Sequence, residues 1–253
     1  MVNQPLLLLG VLAFSQIIHA AEVKPAGDQP LPLPKTLVIP KFRSLVKIDG
    51  NLRESPWTKA AVIKPLRFND GATPGAEETE VRLWYNDQAL YLGWICQDTN
   101  IQATMTNRDS HLWEEEVVEL FITPSELTRY YEFQWNPLAT PFDAIVKNEL
   151  DPQGKSKNYH FDATFTATNL TAAVVVKGSI GDSSDRDEGW QVEVMIPFSV
   201  FGPVPPKPKD VWRGNFFRIS RGTNLAPQYF SWSPTRSAWF HQPDRFGKLE
   251  FGN

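Results

Sequence analysis

Short runs that alternate in polarity with a period of two fill this chain from Val81 onward, and they leave it few ways to fold. In VRLWY, Val81, Leu83 and Tyr85 share one face. In VVELFI, Val118, Leu120 and Ile122 share one face, and Val117, Glu119 and Phe121 the other. YYEFQWN turns Tyr131, Phe133 and Trp135 inward and Glu132 and Gln134 outward. WQVEVMIP turns Trp190, Val192, Val194 and Ile196 inward, and NFFRIS sets Phe217 and Ile219 opposite Phe216 and Arg218. Runs of this length, rich in aromatic and β-branched residues and bounded by Gly, Pro, Asn and Asp, are strands. Helical periodicity is nearly absent; Glu54 to Ala61 has room for one turn or two. The pattern predicts an all-β chain: an antiparallel β-sandwich, jelly-roll or immunoglobulin-like, with few short helices. A sheet of this kind buries one face and can offer the other to a ligand.

The 253 residues suffice for one large core. Residues 1–21, MVNQPLLLLGVLAFSQIIHAA, carry an apolar stretch from Leu6 to Phe14 and small residues at Ala20 and Ala21, and no Asp, Glu, Lys or Arg. They read as a secretory signal peptide, so the expected location is secreted or periplasmic. Ser15 and Gln16 interrupt the apolar run, and no membrane span is expected in the mature chain. Residues 22–41 are proline-rich and read as a linker or an extended, edge-lying segment. The folded domain is expected over residues 42–253, with the cluster from Pro203 to Pro208 as a loop inside it. The single cysteine, Cys96, allows no intrachain disulfide and reads as a small buried hydrophobe. A net charge of −4 without a dense basic run argues against nucleic acid as a partner.

Familiar catalytic signatures are missing: there is no GxSxG, HExxH, P-loop or GxGxxG. Glu114, Glu115, Glu116 and Glu119 form one acidic patch, whereas glycoside hydrolysis needs two carboxylates on opposite sides of the bond. A solvated face or a structural role is the expectation for that patch. The four histidines, His19, His111, His160 and His241, show no ligand spacing. The acidic stretch from Gly181 to Gly189 lacks the alternating oxygens of an EF-hand and reads as a hairpin turn. Asn169-Leu170-Thr171 matches a glycosylation sequon of the kind that arises by chance.

Two of the nine tryptophans stand outside the strand pattern. Trp113 lies in the polar stretch NRDSHLWEEE, just before VVELFI. Trp239 lies in PTRSAWFHQPDRF, just before the last strand. Flat rings on loops of a rigid scaffold suit a pyranose, which has apolar C–H faces and a polar rim. The alternative is that each ring plugs an end of the sandwich.

Several stretches resemble family 9 carbohydrate-binding modules, of the type attached to bacterial xylanases. IDGNLRESPW (Ile48 to Trp57) is similar to the family's opening, followed in order by VRLWYNDQALYLGWICQD, LWEEEVVELFI, GWQVEVMIPFSVF, FSWSPT and WFHQPDRFGKLEF. The resemblance implies a non-catalytic module whose sugar sits between the two tryptophans matched by Trp113 and Trp239. It implies a contact from Glu119, and others at Gln134, Arg218 and Arg236. At these three the residue types differ from the best-known members: Gln for Arg, Arg for Gln and Arg for Asn. The two added arginines would favour an acidic sugar, because a guanidinium grips a carboxylate with two bonds. Family analogy further implies binding at the reducing end of a glycan and structural calcium, for which Asp98 is a candidate ligand by residue type. Such modules usually accompany a catalytic domain. The chain has no room for one, so a glycoside hydrolase acting in trans, in polysaccharide breakdown, is the expected partner.

Two alternatives come from other classes. One is a haem-binding electron-transfer sandwich, for which Met105 and Met195 are the available methionines after the initiator. The other is a structural or adhesion module with no open sugar site.

Overall fold

The computed structural model describes residues 33–34, 36–71, 78–222, 226–237 and 239–253. The expected signal segment, and residues 22–32 of the proline-rich segment, lie outside them. The described residues form two facing sheets, mostly antiparallel. The smaller has the order β10 (Thr171–Lys177), β11 (Gly189–Pro197), β5 (Ala89–Gln97), β4 (Thr79–Tyr85), β2 (Ala61–Ile63). The larger runs β1 (Leu37–Ile39), β14 (Gly247–Phe251), β12 (Val211–Ser220), β6 (Val117–Thr123), β7 (Arg129–Trp135), β8 (Pro141–Leu150), β9 (Ser156–Asp162). A short ribbon of β13 (Gln228–Ser231) and β3 (Arg67–Phe68) pairs along the far part of β12. The edge strand β1 pairs in parallel with β14 and lies ahead of Phe42, within the stretch read as linker or edge-lying segment. The only α-helix among the described residues is one turn, Ser55–Thr58, inside the window where the sequence allowed one.

The alternation explains the layers. Val81, Leu83 and Tyr85 of β4, Trp190, Val192, Val194 and Ile196 of β11, Val118, Leu120 and Ile122 of β6, and Tyr131, Phe133 and Trp135 of β7 all point between the sheets. Burying a side chain of this size contributes about 1.5–3 kcal/mol against the entropy of ordering it. Cys96 is a buried thiol in the same core, outside any disulfide. The acidic stretch Gly181 to Gly189 lies where β10 and β11 are joined, and those strands pair antiparallel.

Each sheet also buries apolar residues on its outer face. On the smaller sheet, Trp84 and Tyr91 stack at 3.8 Å and pack with Leu52 and Trp57. The covering turn is tied down by Glu193, whose Oε2 accepts the Asp49 and Gly50 N–H groups at 2.8 and 3.0 Å and whose Oε1 accepts Trp57 Nε1 at 2.9 Å. Gly50 sits at φ +86°, and a Cβ there would come within 2.8 Å of Val175, so the turn requires glycine. Gly93 gives similar clearance: a Cβ would meet Leu52 at 2.5 Å. On the larger sheet the outer face carries Val117, Phe121, Tyr130, Phe142, Ala144, Val146, Phe217 and Ile219. Loops cover this face only in part.

Candidate functional site

A cavity of about 360 Å³ opens on that outer face. Its floor follows from strand register. Glu119 of β6 is flanked by Phe217 of β12 and Gln134 of β7, and Glu132 is the next outward residue of β7, opposite Phe121. Both glutamates are 2% exposed and Gln134 is 1% exposed. Gln134 Nε2 donates to Glu132 Oε1 at 2.5 Å. Glu119 Oε1, Glu132 Oε2 and Gln134 Oε1 have no hydrogen-bond partner. Buried polar groups are nearly always paired, so three converging orphans mark a place built for something else. Burial holds the Glu119 carboxyl well above the usual range, and the neighbouring Glu132 adds to this. Burial pushes Glu132 up to about 8, against the pull of its bond from Gln134.

The walls are aromatic. Trp113 lies in a single 3-10 turn, Leu112–Glu114, anchored by buried Leu112. The following Glu115 fastens this turn to the preceding loop, its Oε2 accepting the backbone N–H groups of Thr104 and Met105 at 2.8 and 3.1 Å. The Trp113 ring stacks on His111 at 4.6 Å and meets Phe142 edge-on at 5.4 Å. Trp239, 45% exposed, leans on Tyr159 and His241, each at 5.0 Å. Its loop is held by buried Asn69, whose side-chain oxygen accepts Ser231 Oγ and Thr235 N–H, both at 2.8 Å. Thr235 Oγ1 in turn donates to the Trp239 carbonyl at 2.9 Å. The polar residues around Trp239 are thus the internal bracing of a loop.

Tyr159, Phe161, Tyr229, Phe240 and His241 complete the apolar wall. His241 is 8% exposed, and its Nδ1 is hydrogen-bonded to the Tyr130 hydroxyl at 2.6 Å. Burial drops its pKa to about 3, so the ring is neutral at ordinary pH. Arg221 lines the cavity and donates from Nη2 to the Trp113 carbonyl at 3.3 Å. Glu114 stands at the rim beside His111.

Of the six sequence-derived contact residues, the cavity gathers Trp113, Trp239, Glu119 and Gln134. It does not gather Arg218 or Arg236. Arg218 is fully buried on the opposite face of β12, where Nη2 reaches Asp98 Oδ2 at 2.7 Å and Nη1 donates to the Gln97 carbonyl at 2.8 Å and to Thr79 Oγ1 at 3.0 Å. The period-two pattern separated Arg218 from Phe217 and Ile219; the side that faces the ligand is theirs. Arg236 is a turn residue at φ +61° whose N–H donates to the Asn69 carbonyl at 2.7 Å. The arginine grip on an acidic sugar therefore has no support at these two positions.

Asp98 likewise does not fit the calcium expected of it. Its Oδ2 takes the Arg218 guanidinium and its Oδ1 the Asn100 N–H at 3.0 Å. Among the described residues no group of three His, Cys, Asp or Glu could hold a metal ion. The positive charge in this pocket comes from Arg218, and it faces Glu116 as well, whose pKa burial and Asp98 push up to about 10. Met105 and Met195, the candidates for haem ligation, pack into separate clusters on the outer faces of different sheets. Glu132, Tyr159, Arg221, Phe240 and His241 are among the cavity residues that the sequence did not single out. Glu132 carried a signal: it alternates with Gln134 on the outward face of YYEFQWN.

A family model for carbohydrate-binding family 9 matches residues 59–251. The chain belongs to this family. The family 9 modules are non-catalytic, and the protein is a carbohydrate-binding module. Among solved structures, a Bacteroides uniformis ATCC 8492 protein described as carbohydrate-binding is 21% identical, with a TM-score of 0.66 over 86% of this chain and 99% of that one. A family 9 module from Caldicellulosiruptor kristjanssonii in complex with glucose is 16% identical, with a TM-score of 0.59 over 87% and 97%. The module from that organism in complex with cellotriose is 15% identical, with a TM-score of 0.57 over 85% and 93%. At these identities the likeness is one of fold. No curated protein matches the sequence significantly.

Proposed function

We propose that this family 9 module is exported and holds a sugar ring, at the end of a glycan chain, between the indoles of Trp113 and Trp239. The observation that carries the reading is that both rings line one cavity whose floor consists of buried, unpartnered polar oxygens. Indole planes cover the C–H faces of a pyranose, and the hydroxyls complete Glu119, Glu132 and Gln134. Complexes of the related Caldicellulosiruptor module with glucose and cellotriose support a glucose-type ring as the first ligand to try. Arg221, at the cavity wall, takes the role that the family resemblance implied for Arg218 and Arg236.

Family 9 modules are non-catalytic, and the role that fits such a module is to bring a partner to a polysaccharide. The partner we propose is a glycoside hydrolase acting in trans. Export rests on the apolar segment at residues 1–21; N-terminal sequencing of the protein recovered outside the cytoplasm should find it removed, and an intact segment there would refute it. For the site, isothermal titration with glucose and cellotriose should give binding to the wild type and its loss in Trp113→Ala. Equal heats from both proteins would overturn the clamp.

A further inference from the structure

The floor of the cavity is one-sided. Glu119, Glu132 and Gln134 line it, and Glu119 Oε1, Glu132 Oε2 and Gln134 Oε1 are buried oxygens without a hydrogen-bond partner. Three carboxyl side chains line the cavity, Glu114, Glu119 and Glu132, and the last two are buried. Against them stands one cation, Arg221, which is bonded to the Trp113 carbonyl and lies within the field of Glu115. His241 adds no charge at ordinary pH.

We infer that the site prefers a sugar bearing a free amine, a hexosamine, over the neutral sugar of the same ring, and discriminates against a uronate. The inference deepens the sugar-clamp reading and rests on it. A hydroxyl donates one hydrogen bond, whereas an ammonium donates three and carries the charge that a buried carboxylate lacks. Hydrogen bonds with an ionised donor or acceptor are about twice as strong as neutral ones. A uronate would bury its own negative charge over a floor of carboxyls and an amide that supplies no cation.

There is a proton consequence. In the empty cavity burial favours the protonated carboxyls. An ammonium beside them favours the ionised form, so binding releases a proton from a glutamate to the buffer. The other groups that face this pair do not take it up: Tyr130 and Tyr159 keep their phenolic protons, both pKa values being raised by burial, and His241 stays neutral.

The test is calorimetric titration of the intact protein with glucose, glucosamine, N-acetylglucosamine and glucuronate at a mildly acidic pH, repeated in two buffers of different ionisation enthalpy. Glucosamine should bind at least about tenfold more tightly than glucose, with proton release. N-acetylglucosamine, whose nitrogen is acylated, should lose that advantage, and glucuronate should bind more weakly than glucose. In Glu132→Gln the ratio of glucosamine to glucose affinity should fall toward one; the buffer comparison on the wild type keeps the test valid if that variant does not fold. Glucose binding without an amine preference, or a preference for glucuronate, would overturn this inference alone. Failure of every sugar to bind would overturn the clamp and this inference with it.

Discussion

The two sheets each bury a glutamate on the outer face, and the two faces treat it in opposite ways. On the smaller sheet Glu193 meets two backbone N–H groups and an indole N–H, all from the turn that seals the surface. On the larger sheet Glu119 and Glu132 each keep an oxygen with no partner, beneath an open cavity. Leaving a buried acceptor unpaired costs about 1–3 kcal/mol, so the second arrangement lowers stability unless a ligand completes it. A buried acid that the chain satisfies itself is architecture; one that it leaves unsatisfied on the floor of an aromatic cavity fits the binding site proposed above. Arg218 belongs with the first kind, because it closes its circuit inside the core with Asp98.

This contrast can be broken by mutation. The largest effect should come from Arg218→Met, which strands Asp98 and Glu116: a loss of roughly 3–5 kcal/mol by urea denaturation. The folded fraction should keep its sugar affinity; lost affinity would return Arg218 to the site. Glu193→Ala should cost about 3 kcal/mol in the same assay, since three buried donors lose their acceptor, again without change in binding. The clamp variants come next. Trp113→Ala and Trp239→Ala should each lower sugar affinity by roughly ten- to a hundredfold, the usual cost of removing an aromatic anchor. Trp239→Ala, at an exposed ring, should leave the urea midpoint nearly unmoved. Glu119→Met should go the other way from Glu193→Ala: about 1–2 kcal/mol more stable, because an uncompensated carboxyl is gone, and unable to bind. A less stable Glu119→Met would mean that the floor is structural after all.

The smallest effect is on pH dependence. Glu132 titrates near 4.5 ordinarily and near 8 when buried, so between those values the folded state holds a proton that the unfolded state has released. Stability therefore falls as pH rises through that window. His241 acts oppositely: with its pKa lowered from 6.5 to about 3, stability is lost as pH falls through that range. Glu132 and His241 oppose each other between pH 4.5 and 6.5; above 6.5 the His241 contribution is gone, and the raised carboxyls of Glu116 and Glu119 act in the same direction as Glu132. Denaturation from pH 6.5 to 8 should show a decline of about 1 kcal/mol per pH unit, shallower in Glu132→Gln. A flat profile would place these carboxyls in better solvated surroundings.

Much of the sandwich was legible because alternation is a local signal. Val118, Leu120 and Ile122 could face only one way as a set, and Glu119 the other. The strand β8 was harder to read because Asp143 points inward, where its Oδ2 accepts from Arg108 and the Ala167 N–H, so polarity no longer marks the face. The tryptophans of the cavity stood out as large rings in polar loops, and Glu119 and Gln134 as polar residues on outward faces. Arg218 misled for a related reason. Period two gives sides but not which side is solvent, and a buried arginine reads as a surface one until Asp98 is seen beside it. The run Glu114, Glu115, Glu116 is one patch in sequence and three fates in space: a rim residue, a loop fastener and a core acid within the field of Arg218. His241 and Tyr159 gave no signal, since their place in the wall depends on β9 and the last loop meeting across the sheet.

The most direct test is a crystal structure of the protein with glucose. The ring should lie between the Trp113 and Trp239 indoles, with hydroxyls on Glu119 Oε1, Glu132 Oε2 and Gln134 Oε1. Glucose bound elsewhere on the surface, with those three oxygens left to water, would contradict the account.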